Sequence, residues 1–179
     1  MSKQQLKTKR GFTIIEVVLV LAIAGLIFMM VFLALPALQR SQRDTQRRDD
    51  MSRVASQLQQ YQANNRGAIP TTTTELTSFM TNYLRTGTEG STSSGNDEFL
   101  DPDGEEYAFE LKGSFFTISG SASTVLTGDQ TPPVTSIDHK IYYYVGGRCE
   151  GEKIVKATGK RNAAFFYKLE GAGTYCGNI

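Results

Sequence analysis

Residues 9–38 read KRGFTIIEVVLVLAIAGLIFMMVFLALPAL, and the organisation of the chain follows from them. From Phe12 to Leu38 the run is apolar apart from Thr13, Glu16, Pro36 and the small residues Ala and Gly25. As a helix it extends about 40 Å at ~1.5 Å per residue. That is enough to cross a hydrocarbon core of roughly 30 Å with some tilt. Apolar on every face, such a helix needs lipid or the middle of a bundle around it. Two features separate it from a plain anchor. Basic residues and Gly11 precede it directly, and a single carboxylate, Glu16, stands four residues past Phe12.

The run Lys9-Arg10-Gly11-Phe12-Thr13-Ile14-Ile15-Glu16 resembles the type IV prepilin N-terminus. That pattern is a short basic leader ending in Gly, then Phe, then an apolar helix with Glu as its fifth residue. Pilins of type IV filaments, pseudopilins of type II secretion and minor pilins share it. The resemblance implies that a prepilin peptidase cuts between Gly11 and Phe12 and N-methylates Phe12, leaving the apolar segment in the product. A conventional secretory signal fits less well, because the run is about twice a normal h-region and no A-x-A site follows it. An uncleaved signal anchor is the alternative. Either way the positive-inside rule places residues 1–11 in the cytoplasm and residues 39–179 outside. The expected segments are a cleaved leader (1–11), an apolar transmembrane or filament-core helix (12–38) and an extracytoplasmic head (39–179).

A chain of 179 residues has room for one domain beside that helix. The formal net charge is +1, but Lys3, Lys7, Lys9 and Arg10 all precede Phe12, and their removal leaves 15 basic against 18 acidic residues. Nucleic-acid binding therefore does not follow from overall charge. Cys149 and Cys176 both lie in the exported part, where an even count favours a disulfide. With only His139 to join them, a zinc site lacks ligands, and no metal or cofactor is expected.

Pro36 lacks a backbone donor and is expected to kink the helix near the end of the apolar run. Residues 39–65 keep helical character, with Met51, Val54, Leu58 and Tyr61 forming one apolar stripe. Arg40 with Asp44, Asp44 with Arg48 and Asp49 with Arg53 are spaced as i,i+4 pairs. Arg40, Arg43, Arg47 and Arg48 read either as a solvated face or as contacts to lipid headgroups before assembly. One helix is thus expected from Phe12 to near Asn64, stopped by Asn64, Asn65 and Gly67, with an extended exit at Pro70. Thr73 or Thr74 is placed to cap a second helix carrying Leu76, Phe79, Met80, Tyr83 and Leu84.

Residues 86–97 read as a loop by composition. Asp101-Pro102-Asp103-Gly104 reads as a turn into a strand. It resembles the Asp-Pro-x-Gly-x-x-Tyr turn of many pilins, some of which bind calcium nearby, although Gly104 is not where an EF-hand loop needs its glycine. Expected strands are 106–111, 115–119, 140–146, 153–157 and 163–170, with a long loop over 120–133. The order gives an α+β fold: a long helix packed on a C-terminal antiparallel sheet. Leu58 and Tyr61 are expected on one sheet face with Phe109, Phe116, Ile141, Tyr143, Val155 and Phe166.

Glu16 is the first candidate for function, because a carboxylate in an apolar helix is expensive and such residues usually mark a site. Cleavage would free an α-amine on Phe12, largely protonated at neutral pH. Glu16 can pair with its own Phe12, and the resemblance implies a pair with the Phe12 amine of the preceding subunit. Catalysis is not expected, since His139 has no evident Ser or Cys partner and no phosphate loop appears. Residues 89–110 hold eight acidic and no basic side chains, whereas residues 140–169 hold seven basic and two acidic. These read either as solvated loops and strand faces, or as two regions that face each other between subunits, or as a basic region that touches DNA or an acidic cell surface. The resemblance implies a structural pilus subunit, first single-pass in the cytoplasmic membrane and then in a surface filament. Its partners would be its own copies in a homopolymer, the peptidase, the assembly machinery and membrane lipid. A pseudopilin, a minor pilin and a monomeric membrane-anchored binding module are the alternatives.

Overall fold

The computed structural model describes residues 11–84, 99–117, 124–132, 137–171 and 173–179. Residues 1–10 of the expected leader, the whole 86–97 loop and part of the 120–133 loop lie outside them. The chain divides into two compact units, Met1–Gln39 and Arg40–Ile179.

Helix α1 runs without a break over Ile14–Asn64, with Pro36 inside it. In the first unit the helix is apolar and no residue from Ile14 to Gln39 is buried. It is long and apolar enough to cross a membrane. In the second unit the expected stripe appears: Met51, Val54 and Leu58 are buried, and Tyr61 packs beside them. Arg47 extends that stripe one turn towards the N-terminus and is buried too. Past Asn64 the chain turns through left-handed Arg66 and Gly67, and the Gly67 amide closes onto the Gln62 carbonyl at 2.7 Å. This satisfies a carbonyl that the helix end would otherwise leave open.

Helix α2, Thr73–Phe79, continues as a π-helical turn over Met80–Leu84. Its cap is Thr72, not Thr73 or Thr74. Thr72 accepts from the Glu75 amide while the Glu75 carboxylate accepts from the Thr72 amide, a reciprocal capping box.

Six strands follow: β1 Ala108–Ser114, β2 Lys140–Val145, β3 Gly147–Glu150, β4 Lys153–Lys156, β5 Ala163–Lys168 and β6 Thr174–Asn178. They form a four-stranded sheet of order β1-β2-β5-β6 and a separate β3–β4 hairpin. The sheet is antiparallel except for β1 and β2, which run parallel. β1 bulges between Leu111 and Gly113. Gly113 sits at φ +148°, and a Cβ there would meet the Thr124 carbonyl at 2.5 Å, so only glycine fits the bulge. Residues 115–117, expected within a strand, form a bend after the Phe115 amide bonds the Val145 carbonyl.

The sheet separates two apolar clusters by side-chain parity. Ile141, Tyr143, Val145, Phe165 and Tyr167 face Met51, Val54 and Leu58 of α1 and Leu76 and Phe79 of α2, with Phe109 packed against them. Tyr142, Tyr144, Ala164 and Phe166 face the other way, onto Phe115, Phe116 and Ile154. Phe116 and Phe166 therefore do not share a face with Leu58. Val155 is half-exposed, because alternation along β4 turns Ile154 inward instead. The Cys149–Cys176 disulfide forms as expected and ties β3 to β6 beside the second cluster.

Candidate functional site

In the first unit, Thr13 precedes the first helical residue and Glu16 lies three positions further on. The Glu16 Oε2 accepts from the Thr13 amide at 2.9 Å and from the Thr13 hydroxyl at 2.7 Å. In return the Glu16 amide donates to Thr13 Oγ1 at 3.4 Å. This is a second capping box: the carboxylate satisfies donors that a helix start leaves open, and its charge faces the positive end of the helix. The sequence signal for Thr13 is T-x-x-E before an apolar run, the signature of such a box. Phe12 is 89 % exposed, and Ile14, Ile15 and the long apolar residues after them project outward as well. Among the described residues of this unit the apolar surface has no cover.

In the second unit the charges after the apolar run are organised differently from any expected pairing. Arg47 is 1 % exposed, and each of its five N–H donors reaches a carboxylate. Nε and Nη2 grip Asp101 in a fork at 2.8 and 2.7 Å, and Nη2 also reaches Asp103 at 3.3 Å. Nη1 reaches Asp44 at 3.3 Å and Glu170 at 3.2 Å. Arg43 donates to Glu170 through Nε and Nη2, and Arg40 lies 3.7 Å from the same carboxylate. Asp44 accepts from the Glu170 and Gly171 amides at 2.8 and 2.7 Å. None of the three i,i+4 pairs forms. Asp44 and Arg40 turn to the Glu170 segment, and Arg53 lies over the Phe99 ring. Arg47 is thus neither on a solvated face nor available to lipid.

The expected Asp101 turn forms, with the Gly104 amide on the Asp101 carbonyl and the Asp101 amide on the Glu105 carbonyl, both at 2.8 Å. Its first residue is buried rather than solvated. Burial pushes the Asp101 carboxyl up, but hydrogen bonds from Arg47, Tyr167 and Asp103 outweigh it and hold it well below the usual carboxylate range. Hydrogen bonds from Arg43, opposed by some desolvation and joined by Arg47, hold Glu170 at about 2. Asp50 shifts the other way, raised by burial despite a hydrogen bond from the Tyr107 hydroxyl.

His139 stands at φ +55° with Nε2 3.0 Å from Asp103 Oδ2. Donor atoms of Asp101, Asp103 and His139 lie within 4.8 Å of one another. Both Asp101 oxygens are already committed, to Arg47 and to the Tyr167 hydroxyl, so the geometry is that of an internal ion cluster.

Residues 6–32 match the family model of the prokaryotic N-terminal methylation motif. No curated protein and no solved structure matches the chain significantly. Such a motif belongs to structural, non-enzymatic proteins and implies processing by a prepilin peptidase and the general pilus assembly machinery. With the apolar helix it fits anchoring in a membrane. The N-terminus of this chain is therefore a type IV prepilin-like class III signal.

Proposed function

We propose that the processed chain is a structural subunit of a type IV pilus, polymerising through its apolar helix into a surface filament. The observation that supports this best is a methylation motif continuous with an apolar helical stretch in which no residue from Ile14 to Gln39 is buried. Lipid covers that surface while the subunit waits in the membrane, and other copies cover it in the filament. Cleavage falls between Gly11 and Phe12, and methylation of Phe12 keeps its amine charged. Among the described residues Glu16 engages Thr13 through Oε2 alone, which leaves Oε1 for the Phe12 ammonium of a neighbouring subunit. A charge taken out of water must meet its opposite, so this pair sets axial register while Leu, Ile, Val and Phe supply non-directional packing. Pro36 marks the end of the shared core.

Adhesion, twitching motility and DNA uptake are the outputs open to such a filament. The test is electron microscopy of sheared surface fibres with the protein identified by mass spectrometry. This chain as the main fibre component is the expected result. Traces in the fibre make it a minor pilin or pseudopilin, and absence makes it a monomeric anchored module.

A further inference from the structure

Arg47 draws its partners from three separate pieces of chain: Asp44 on α1, Asp101 and Asp103 in the turn after Phe99, and Glu170 after β5. Among the described residues those two turns share no hydrogen bond or ion pair with each other. Their polar connection runs through α1, with one parallel route from the Tyr167 hydroxyl to Asp101. The Glu170–Gly171 segment is seated by Asp44, whose oxygens accept both amides and whose position is steadied by Arg47 Nη1. Gly171 lets the backbone come that close, since a Cβ there would lie 2.9 Å from Asp44 Oδ2.

A guanidinium can stay buried only while its charge and its donors are met. If either turn lifts away, Arg47 is left buried with part of its fork empty, and its hold on the other turn is altered too. We propose that Arg47 is an interlock that makes the Asp101–Gly104 turn and the Glu170–Gly171 turn open and close together. It acts within the first turns of α1 in the second unit, and so holds both turns in register with the helix. The coupling is a property of the head and does not depend on filament formation.

Coupling of this kind is reciprocal: each turn must affect the other by the same factor. The experiment is amide hydrogen exchange on the full chain in detergent micelles, with each turn amide referenced to Tyr143 and Phe165 of the central strands to remove global unfolding. In Glu170→Gln, exchange at Asp101 and Gly104 accelerates by about tenfold, within the usual range for coupled sites. In Asp101→Asn, exchange at Glu170 and Gly171 accelerates by a similar factor. Should Asp101→Asn fail to fold, the half-exposed Glu170 arm still decides the matter. Arg47→Lys keeps the charge but lacks the fork needed to hold both turns, so the cross-effect disappears in that background. Tyr167→Phe leaves the cross-effect in place. Substitutions that disturb only their own turn, or a cross-effect that survives Arg47→Lys or vanishes in Tyr167→Phe, overturn the interlock.

Discussion

The two halves of α1 are one continuous helix with opposite economies. From Ile14 to Gln39 nothing is buried, and among the described residues the only side-chain hydrogen bonds there are those of the Thr13–Glu16 box. From Arg40 onward the same helix buries Arg47, Met51, Val54 and Leu58, and Arg43, Asp44 and Arg47 are tied to turns far along the chain. The difference teaches where each half finds its partners. The second half finds them inside its own fold. The first half carries enough apolar surface for a core and must find its partners in lipid or in other chains.

The largest effect is expected at the lone carboxylate of the first half. Glu16→Ala should still give an exported, cleaved chain with an unchanged head melting temperature, but few or no fibres by electron microscopy. Normal fibres from that variant would remove the assembly role of Glu16, and a destabilised head would blur the line between the halves. The counterpart in the second half is Arg47→Ala. It leaves Asp101 buried without its cation, which should cost about 3–5 kcal/mol in chemical denaturation. A loss below roughly 1 kcal/mol would place Arg47 with ordinary surface ion pairs.

Acid offers a milder probe of the same half. Asp101 and Glu170 have folded-state pKa values below their unfolded values, near 3.9 and 4.3. Their contribution is present above the unfolded pKa and is lost as pH falls through the folded one. Asp50, raised by burial, works in the opposite sense. Head stability should therefore fall from about pH 4 towards pH 2, and Glu170→Gln should flatten that slope. The smallest effect is expected at Tyr143, whose buried hydroxyl has no partner among the described residues. Tyr143→Phe should stabilise the head by up to about 1 kcal/mol in the same denaturation assay.

Much of this fold could be read from the residues. The apolar run, the Met51–Val54–Leu58 stripe, the Asn64–Gly67 stop, four of the six strand positions and the cysteine pairing each rest on local pattern, and each is found. What escaped is non-local. β5 reads as a buried run, Ala163–Tyr167, so alternation does not say which face Phe166 takes. The parallel pairing of β1 and β2 depends on a crossover that composition does not reveal. β3 and β6 are short, and glycine opens β3 and falls inside β6, which weakens any strand signal. Arg47 did leave a trace, since it sits one turn before Met51 on the buried stripe. Its charge pointed to the surface, and only Asp101 and Glu170, 54 and 123 residues away, reverse that reading. Thr13 left a plainer one, three residues ahead of Glu16.

The claim that joins these observations is that the uncovered half of α1 is reserved for other copies of the chain. A photo-crosslinking amino acid in place of Ile27, whose side chain projects outward, tests it most directly when irradiated in sheared fibres and in membranes. Adducts between copies in the fibre, and lipid adducts alone in the membrane, are the predicted result. Fibres that contain the protein yet yield only lipid adducts or monomer would contradict it.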